Sequence, residues 1–266
     1  MLKKLFRYDL KFLFKYWWIV ALATLPISVA GGLSFRTLLR ANADITALQV
    51  IFSTLGMLGA IVAIVAMALM PVILNGVRFY KNLYSDEGYL TFTLPVERRD
   101  ILKAKLLSAM TLQLTTLLLV VVEVLIFTLC ATMGIEDIGV VVLPEFRASY
   151  LLLGLEVLIL FLEAEMFSIL LMYACISFGA IIAKKHKVLA AVGIYYGVGG
   201  LVSGIGQFFY MIGVGLVAGI IASGEQIGEI VVVSLILVPV ITLLGAVVMG
   251  LYTLVHWQMD RKLNLS

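Results

Sequence analysis

Four glutamates lie in or beside long apolar stretches of this sequence, where a carboxylate has few charged partners. Glu123 lies in one stretch, and Glu156, Glu163 and Glu165 lie in the next; neither stretch contains a lysine or arginine. Glu156 and Glu163 are seven residues apart, so on a helix they share one stripe about 10.5 Å long, whereas Glu165 faces roughly the opposite way. Glu123, Glu156 and Glu163 are therefore candidates for lining the path of a cationic substrate or for relaying protons.

Catalytic signatures are absent from the sequence. It contains no GxxxxGK[ST], HExxH or GxSxG pattern, and its two histidines are His186 and His256. Residues 213–218 fit the loose GxGxxA dinucleotide pattern, but no strand precedes them, which indicates a chance match. The two cysteines, Cys130 and Cys175, lie in different apolar runs and are expected to be small buried hydrophobic residues. We expect no catalytic residue, no metal site and no cofactor in this chain.

The elements that position these glutamates must be membrane helices. The chain has 266 residues, of which 63% are hydrophobic and 13% are charged, whereas soluble domains have about 45–50% apolar and about 25% charged residues. A water-soluble fold is excluded because there is too little polar surface to cover a particle of this size. The predicted fold class is an all-α integral membrane protein with one transmembrane domain over residues 1–266.

Six apolar runs are long enough to cross a bilayer, for which about 20 residues suffice. They cover residues 17–39, 45–77, 106–133, 150–183, 188–222 and 230–256. The fourth and fifth runs exceed the required length at residues 150–162 and 208–222. This excess predicts tall or kinked helices, or re-entrant segments on the outer side before the last span. The glutamates then lie nearer the outer boundary than the midplane, so solvation by water is an equal alternative to a functional role.

The basic residues are distributed unequally between the two sides. Of the 19 lysines and arginines, 16 fall in segments on one side of the six spans and 3 fall on the other. Because cytoplasmic segments are enriched in lysine and arginine, both termini are predicted to be cytoplasmic.

Residues 1–16 have the pattern of a basic amphipathic helix lying at the membrane interface. Five cations occupy about one third of the helical wheel and apolar residues occupy the other side. Asp9 falls in the middle of the apolar side, where it either reaches water or pairs with a cation on a neighbouring helix. We favour the first alternative.

Close glycine pairs in the fifth run, such as Gly193 and Gly197, predict helix packing within one subunit in preference to a dimer seam or a gating helix.

The cytoplasmic connection between the second and third spans, residues 78–105, contains acidic residues, aromatic residues and a proline. A simple linker has no need to expose Tyr89, Leu90, Phe92 and Leu94 to water. These apolar side chains predict a docking surface for a partner.

Three segments together resemble a known family. They are Lys15-Tyr-Trp-Trp18 at the end of the basic helix, Asp86-Glu-Gly-Tyr-Leu-Thr-Phe-Thr-Leu-Pro95 in the connection, and the tail Arg261-Lys-Leu-Asn-Leu265. The sequence resembles, over its whole length, permease subunits of type-two ATP-binding-cassette exporters from Gram-positive bacteria. The carboxylates of the fourth span depart from that family's pattern.

The resemblance implies a half-transporter in the bacterial plasma membrane that exports an unidentified substrate. It implies pairing with a second copy or a sister permease, and a separate cytosolic ATPase subunit that binds ATP and magnesium; no nucleic acid is involved. Residues 1–16 would be the connecting helix, and the connection would carry the coupling helix that contacts the ATPase. The implied contact residues are Tyr84, Asp86, Glu87, Gly88, Tyr89, Leu90, Thr91, Phe92, Thr93, Leu94 and Pro95.

Two alternatives remain open. One is a secondary transporter coupled to ions through Glu123, Glu156 and Glu163. The other is a membrane sensor or assembly protein that transports nothing. The aromatic connection favours the exporter, because neither alternative needs an exposed docking element there.

Overall fold

The computed structural model describes residues 2–40, 46–85, 87–93, 95–133, 148–183, 185–222 and 229–261, and 95% of these are helical and none lies in a strand. Six of the helices are long and apolar enough to cross a membrane. The prediction of an all-helical, multi-pass membrane protein is confirmed to that extent. The helices are α1 (Leu2–Leu39), α2 (Ala47–Tyr84), α3 (Glu87–Thr93), α4 (Arg98–Thr132), α5 (Ala148–Ile182), α6 (Lys187–Ala222) and α7 (Glu229–Arg261).

The helices extend beyond the apolar runs that predicted them. Residues 1–16 were expected to form a separate interfacial helix, but α1 continues without a break from Leu2 to Leu39. Within the connection 78–105, α2 continues to Tyr84 and α4 begins at Arg98. An apolar run marks what lipid requires, whereas a helix can continue through lysine and arginine, whose helix propensities are close to that of leucine.

The excess residues of the fourth and fifth runs also continue their helices. Residues 150–162 belong to α5, and residues 208–222 belong to α6. Each of these helices is continuous over its whole range, so neither stretch contains a re-entrant turn.

The helices form two compact units. Unit 1 consists of Met1–Arg78 and Leu107–Leu143, and unit 2 consists of Phe79–Leu106 and Pro144–Ser266. The helices α2 and α4 therefore contribute one part to each unit.

In unit 1, α1 and α4 pack side by side in parallel with a constant register. Trp17 Nε1 donates a hydrogen bond to Thr116 Oγ1 at 2.7 Å, and one heptad later Thr24 is hydrogen-bonded to Glu123; both pairs are separated by 99 residues. A seven-residue repeat on both helices keeps the same faces in contact. Close approach continues at Gly32, where an added Cβ would lie 2.6 Å from the Phe127 carbonyl oxygen.

The other side of α1 packs against α2 as an antiparallel hairpin. Asp9 pairs with Arg78 at one end, and Thr37 is hydrogen-bonded to Ser53 at the other. Between these pairs lies the hydrophobic core of unit 1, which is formed by Leu13, Trp17, Ala21, Met67, Leu74 and Leu112.

In unit 2, α5 packs against both α6 and α7. α5 and α6 approach each other closely at Gly179, where an added Cβ would lie 2.6 Å from the Ala191 nitrogen. The predicted glycine packing of the fifth run is not observed, because a Cβ added at Gly193 or Gly197 would meet no described atom within 4 Å. The close glycine contact is thus made by α5, not by the glycine face of α6.

Candidate functional site

The short helix α3 lies in the connection between α2 and α4. It begins after a tight turn in which the Gly88 N–H donates a hydrogen bond to the Ser85 carbonyl at 2.7 Å. A Cβ on Gly88 would lie 2.7 Å from the Leu83 carbonyl oxygen, so only glycine allows α3 to start this close to the end of α2. The Thr91 hydroxyl donates to the Glu87 carbonyl at 3.1 Å and satisfies an acceptor within the helix.

The outer surface of α3 presents an aromatic ring to the surroundings. Tyr89 is 66% exposed, and Glu87, Thr93 and Pro95 are exposed beside it. Of the other predicted contact residues, Asp86 and Leu94 lie outside the described residues, as do the side chains of Leu90 and Phe92. Among the described residues, Tyr89 is therefore the large apolar group of the predicted docking surface.

The end of α2, residues 79–84, forms the first stem of this connection and is held by α5. The Phe79 ring is buried and stacks on the Tyr173 ring, with centroids 3.9 Å apart and planes inclined by 7°. The Tyr84 hydroxyl donates to Ser177 Oγ at 2.6 Å, and Ser177 Oγ donates to the Tyr173 carbonyl at 2.8 Å.

The start of α4, residues 98–106, forms the second stem and is held by α5 and α7. Arg98 Nη1 donates to the Met259 carbonyl and, at 2.9 Å, to the Asp260 carbonyl. A guanidinium at the last carbonyls of α7 also complements the negative end of that helix dipole. The Tyr173 hydroxyl donates to the Lys105 carbonyl at 3.4 Å.

Tyr173 therefore contacts both stems, through its ring on Phe79 and through its hydroxyl on Lys105. The two stems are thus held against α5 by buried contacts, and the second stem is also bonded to α7 through the exposed Arg98. α3 therefore combines an exposed aromatic ring with two stems that are held by neighbouring helices.

Glu123 lies in unit 1 and is completely buried. One of its carboxyl oxygens is hydrogen-bonded to the Thr24 hydroxyl, and that hydroxyl also lies 3.3 Å from the Ala21 carbonyl. The second oxygen, Oε2, has no hydrogen-bond partner among the described residues. Glu123 is thus enclosed between α1 and α4 in unit 1, whereas Glu156 and Glu163 belong to unit 2.

Glu156 and Glu163 lie on one stripe of α5, as predicted from their spacing. Glu163 faces α7, because a Cβ added at Gly245 would lie 3.0 Å from its Oε1 atom. Among the described residues, Oε2 of each glutamate is buried without a hydrogen-bond partner, as are Ser234 Oγ and Tyr252 Oη on α7. Ser234 and Tyr252 are 11 residues before and 7 residues after Gly245, so all three share one face of α7. We call these four polar side chains, Glu156, Glu163, Ser234 and Tyr252, the α5–α7 polar seam.

The favoured interpretation of Asp9 is wrong. Its carboxylate is buried and accepts a hydrogen bond from Arg78 Nε at 2.9 Å. The Arg78 guanidinium also lies 4.3 Å from the centroid of the Phe12 ring and 5.1 Å from that of Tyr8. An aspartate in the middle of the packed face of α1 has no route to water, so it pairs with the first cation at the end of α2.

Comparison with known proteins identifies no relative. No family model, no curated protein and no solved structure matches this chain.

Proposed function

We propose that this chain is the membrane-spanning permease subunit of an ATP-binding-cassette exporter and that a separate cytosolic ATPase docks on α3. The single observation that carries the proposal is the exposed Tyr89 on a short helix whose two stems are both held by Tyr173. The unequal distribution of lysine and arginine supports cytoplasmic termini and a cytoplasmic α3 in a bacterial plasma membrane.

An exposed tyrosine is suited to act as a docking residue. Tyrosine supplies a large contact area with little loss of side-chain freedom, and it is enriched among residues that dominate binding energy at interfaces. In the proposed complex Tyr89 enters a pocket on the ATPase, and the polar residues around it form the rim.

The fixed stems explain how docking leads to transport. The partner binds ATP and magnesium, and closure of its two copies displaces α3. Because the stems are packed against α5 and bonded to α7, the displacement of α3 tilts these helices. A connection with loose stems would bend and leave the helices unmoved. A second permease, either another copy of this chain or a sister chain, completes the path.

The test is retention of an ATPase by the tagged full-length chain. The protein is purified in mild detergent from its native cells, and the proposal requires a co-purifying subunit with a GxxxxGK[ST] motif. We expect Tyr89→Ala to weaken this complex by about tenfold or more, which corresponds to at least ~1.4 kcal/mol, and Tyr89→Phe to retain it.

The matched control is Tyr196→Ala, because Tyr196 is 74% exposed but belongs to α6, which is not part of the connection. It should leave the complex intact. Equal retention of the ATPase by the wild type and by Tyr89→Ala would contradict the assignment of α3.

A second candidate function is favoured by the α5–α7 polar seam. Two carboxyl groups and two hydroxyl groups with buried, unbonded oxygens suit a secondary transporter that carries a proton or another cation. That function predicts proton or cation flux by the purified chain alone in liposomes under an ion gradient, with loss of flux in Glu163→Gln. The exporter predicts no such flux without its ATPase.

A further inference from the structure

The exposed face of α1 changes its character along its length. At about 100° per residue, its exposed side chains include a set that falls within a sector of about 80°. This set is cationic towards the N-terminus and apolar from Trp18 onward, and every member is exposed. We call it the α1 stripe; it comprises Lys4, Arg7, Lys11, Lys15, Trp18, Leu22, Val29 and Leu33.

No carboxylate of α1 is available to neutralise the basic part of this stripe. The one acidic residue of α1 is Asp9, which lies on the opposite, packed face and is paired with Arg78. Lys15 Nζ lies 5.8 Å from the Tyr16 ring centroid, a contact that leaves its charge unchanged. The cations of the α1 stripe thus form an exposed positive surface directly in line with a lipid-facing surface.

The junction between the apolar and the cationic part of the α1 stripe has the residues expected where the hydrocarbon of a bilayer meets its headgroup layer. Trp18 lies at the junction, and tryptophan is enriched where hydrocarbon meets headgroups. At 1.5 Å per residue, Lys15 is about 4.5 Å and Lys11 about 10.5 Å from Trp18 along the helix. The headgroup layer of one leaflet is about 5–8 Å thick. Lys15 therefore lies within it, Lys11 lies just beyond its outer edge and can reach back with its flexible side chain, and Lys4 and Arg7 lie farther into the water.

We infer that the α1 stripe binds anionic phospholipid. The phosphate-bearing headgroup is held by Lys11 and Lys15, and its acyl chains lie along Trp18 and Leu22. An open groove beside the basic part, lined in part by Leu10 and Phe14, provides further apolar surface next to the cations. An acidic protein would use the cations but not the apolar continuation of the same face, so the combination favours lipid. This inference does not depend on the exporter proposal.

The test uses the full-length protein in nanodiscs and the fluorescence of Trp18. Trp257→Phe is introduced in every sample to remove the other exposed tryptophan, and the buried Trp17 is retained. Phosphatidylglycerol and phosphatidylcholine, each brominated in its acyl chains, are compared as quenchers at equal mole fractions. We expect phosphatidylglycerol to quench at a lower mole fraction, and 1 M salt to reduce this preference because it shortens the Debye length to about 3 Å.

Charge-removing variants locate the site. A cation near an anionic surface strengthens binding by roughly fivefold, so Lys11→Gln/Lys15→Gln should lose most of the preference and Lys11→Arg/Lys15→Arg should keep it. The matched control, Lys81→Gln/Lys103→Gln, removes two exposed lysines from other helices and should keep it as well.

Several results would overturn the inference: equal quenching of the wild type by the two lipids, equal loss of preference in the control, or a preference that salt leaves unchanged. The effect of 1 M salt is measured on the wild type, so it still tests the inference if Lys11→Gln/Lys15→Gln does not fold. A wild type without lipid preference that binds an acidic peptide through Lys11 and Lys15 would assign the stripe to a protein partner and would also overturn it.

Discussion

Tyr173 lies flat on Phe79, with ring centroids 3.9 Å apart, and both rings are buried in unit 2. Because the Tyr173 hydroxyl also donates to the Lys105 carbonyl, one side chain of α5 fixes the end of α2 and the start of α4. The position of α3 therefore depends on a residue that is distant from α3 in sequence.

Two substitutions of Tyr173 separate its two contacts. Tyr173→Phe keeps the ring stack and loses the hydrogen bond, which should cost about 1 kcal/mol of unfolding free energy. Tyr173→Ala removes both contacts and leaves a cavity, which should cost about 3–5 kcal/mol. The measurement is equilibrium unfolding in detergent, with Tyr196→Ala as the exposed control. Equal destabilisation by Phe and Ala would show that the stack contributes nothing.

The buried pair of Asp9 and Arg78 should be more sensitive to loss of one partner than to loss of both. Asp9→Asn or Arg78→Gln leaves one buried charge without its partner and should lower the unfolding free energy by about 3–5 kcal/mol. Asp9→Leu/Arg78→Met replaces the pair with apolar side chains and should be less destabilising than either single variant. A double variant whose loss equals the sum of the two singles would refute this expectation.

Glycine substitutions test the contact between α1 and α4. Gly32→Ala places a methyl group 2.6 Å from the Phe127 carbonyl oxygen and 2.8 Å from Cys130 Cβ, and overpacking of this kind costs about 1–3 kcal/mol. Gly59→Ala is the control, because its added Cβ meets nothing described within 4 Å. It should be neutral or slightly stabilising, since alanine favours a helix over glycine. Thermal unfolding of the two variants side by side measures the difference, and equal melting temperatures would exclude close packing at Gly32.

The hydrogen bond between Thr24 and Glu123 can be measured by a double-mutant cycle. Thr24→Val should destabilise the protein by about 1–3 kcal/mol, because it leaves a fully buried carboxyl oxygen unsatisfied. The same substitution should cost less in a Glu123→Leu background, where no oxygen is left to satisfy. Glu123→Gln should be tolerated better than Glu123→Ala, since the amide keeps the volume and can still bond to Thr24. Identical effects of Thr24→Val in both backgrounds would mean that the two residues are not coupled.

The number of membrane helices could be predicted from the sequence because lipid imposes its requirement locally. Each span needs about 20 apolar residues in succession, and this condition can be read from one segment without reference to any other. The ends of the helices could not be predicted in the same way. Between Val77 and Tyr84, for example, the sequence leaves the apolar run but contains nothing that stops a helix.

The contacts of the candidate site depend on pairing between helices, which one segment does not reveal. The spacing of Glu156 and Glu163 correctly predicted a shared stripe. That Gly245 lies opposite Glu163 could not be predicted, because it depends on the register between α5 and α7. A lone acidic residue on a short basic helix favoured contact with water for Asp9, whereas its actual partner, Arg78, is 69 residues away in the sequence. The sequence did contain a signal for this ion pair. Asp9 lies at the centre of an apolar face, where a carboxylate requires a cation.

The distance along the chain between Asp9 and Arg78 also has a consequence for biogenesis. At a synthesis rate of 5–20 residues per second, Arg78 follows Asp9 by roughly 3–14 s. During that interval the first turns of α1 exist without Arg78, and we expect them to stay at the membrane surface in contact with water. We therefore expect the basic start of the chain to be interfacial during synthesis and to join the packed helix once Arg78 is available to Asp9.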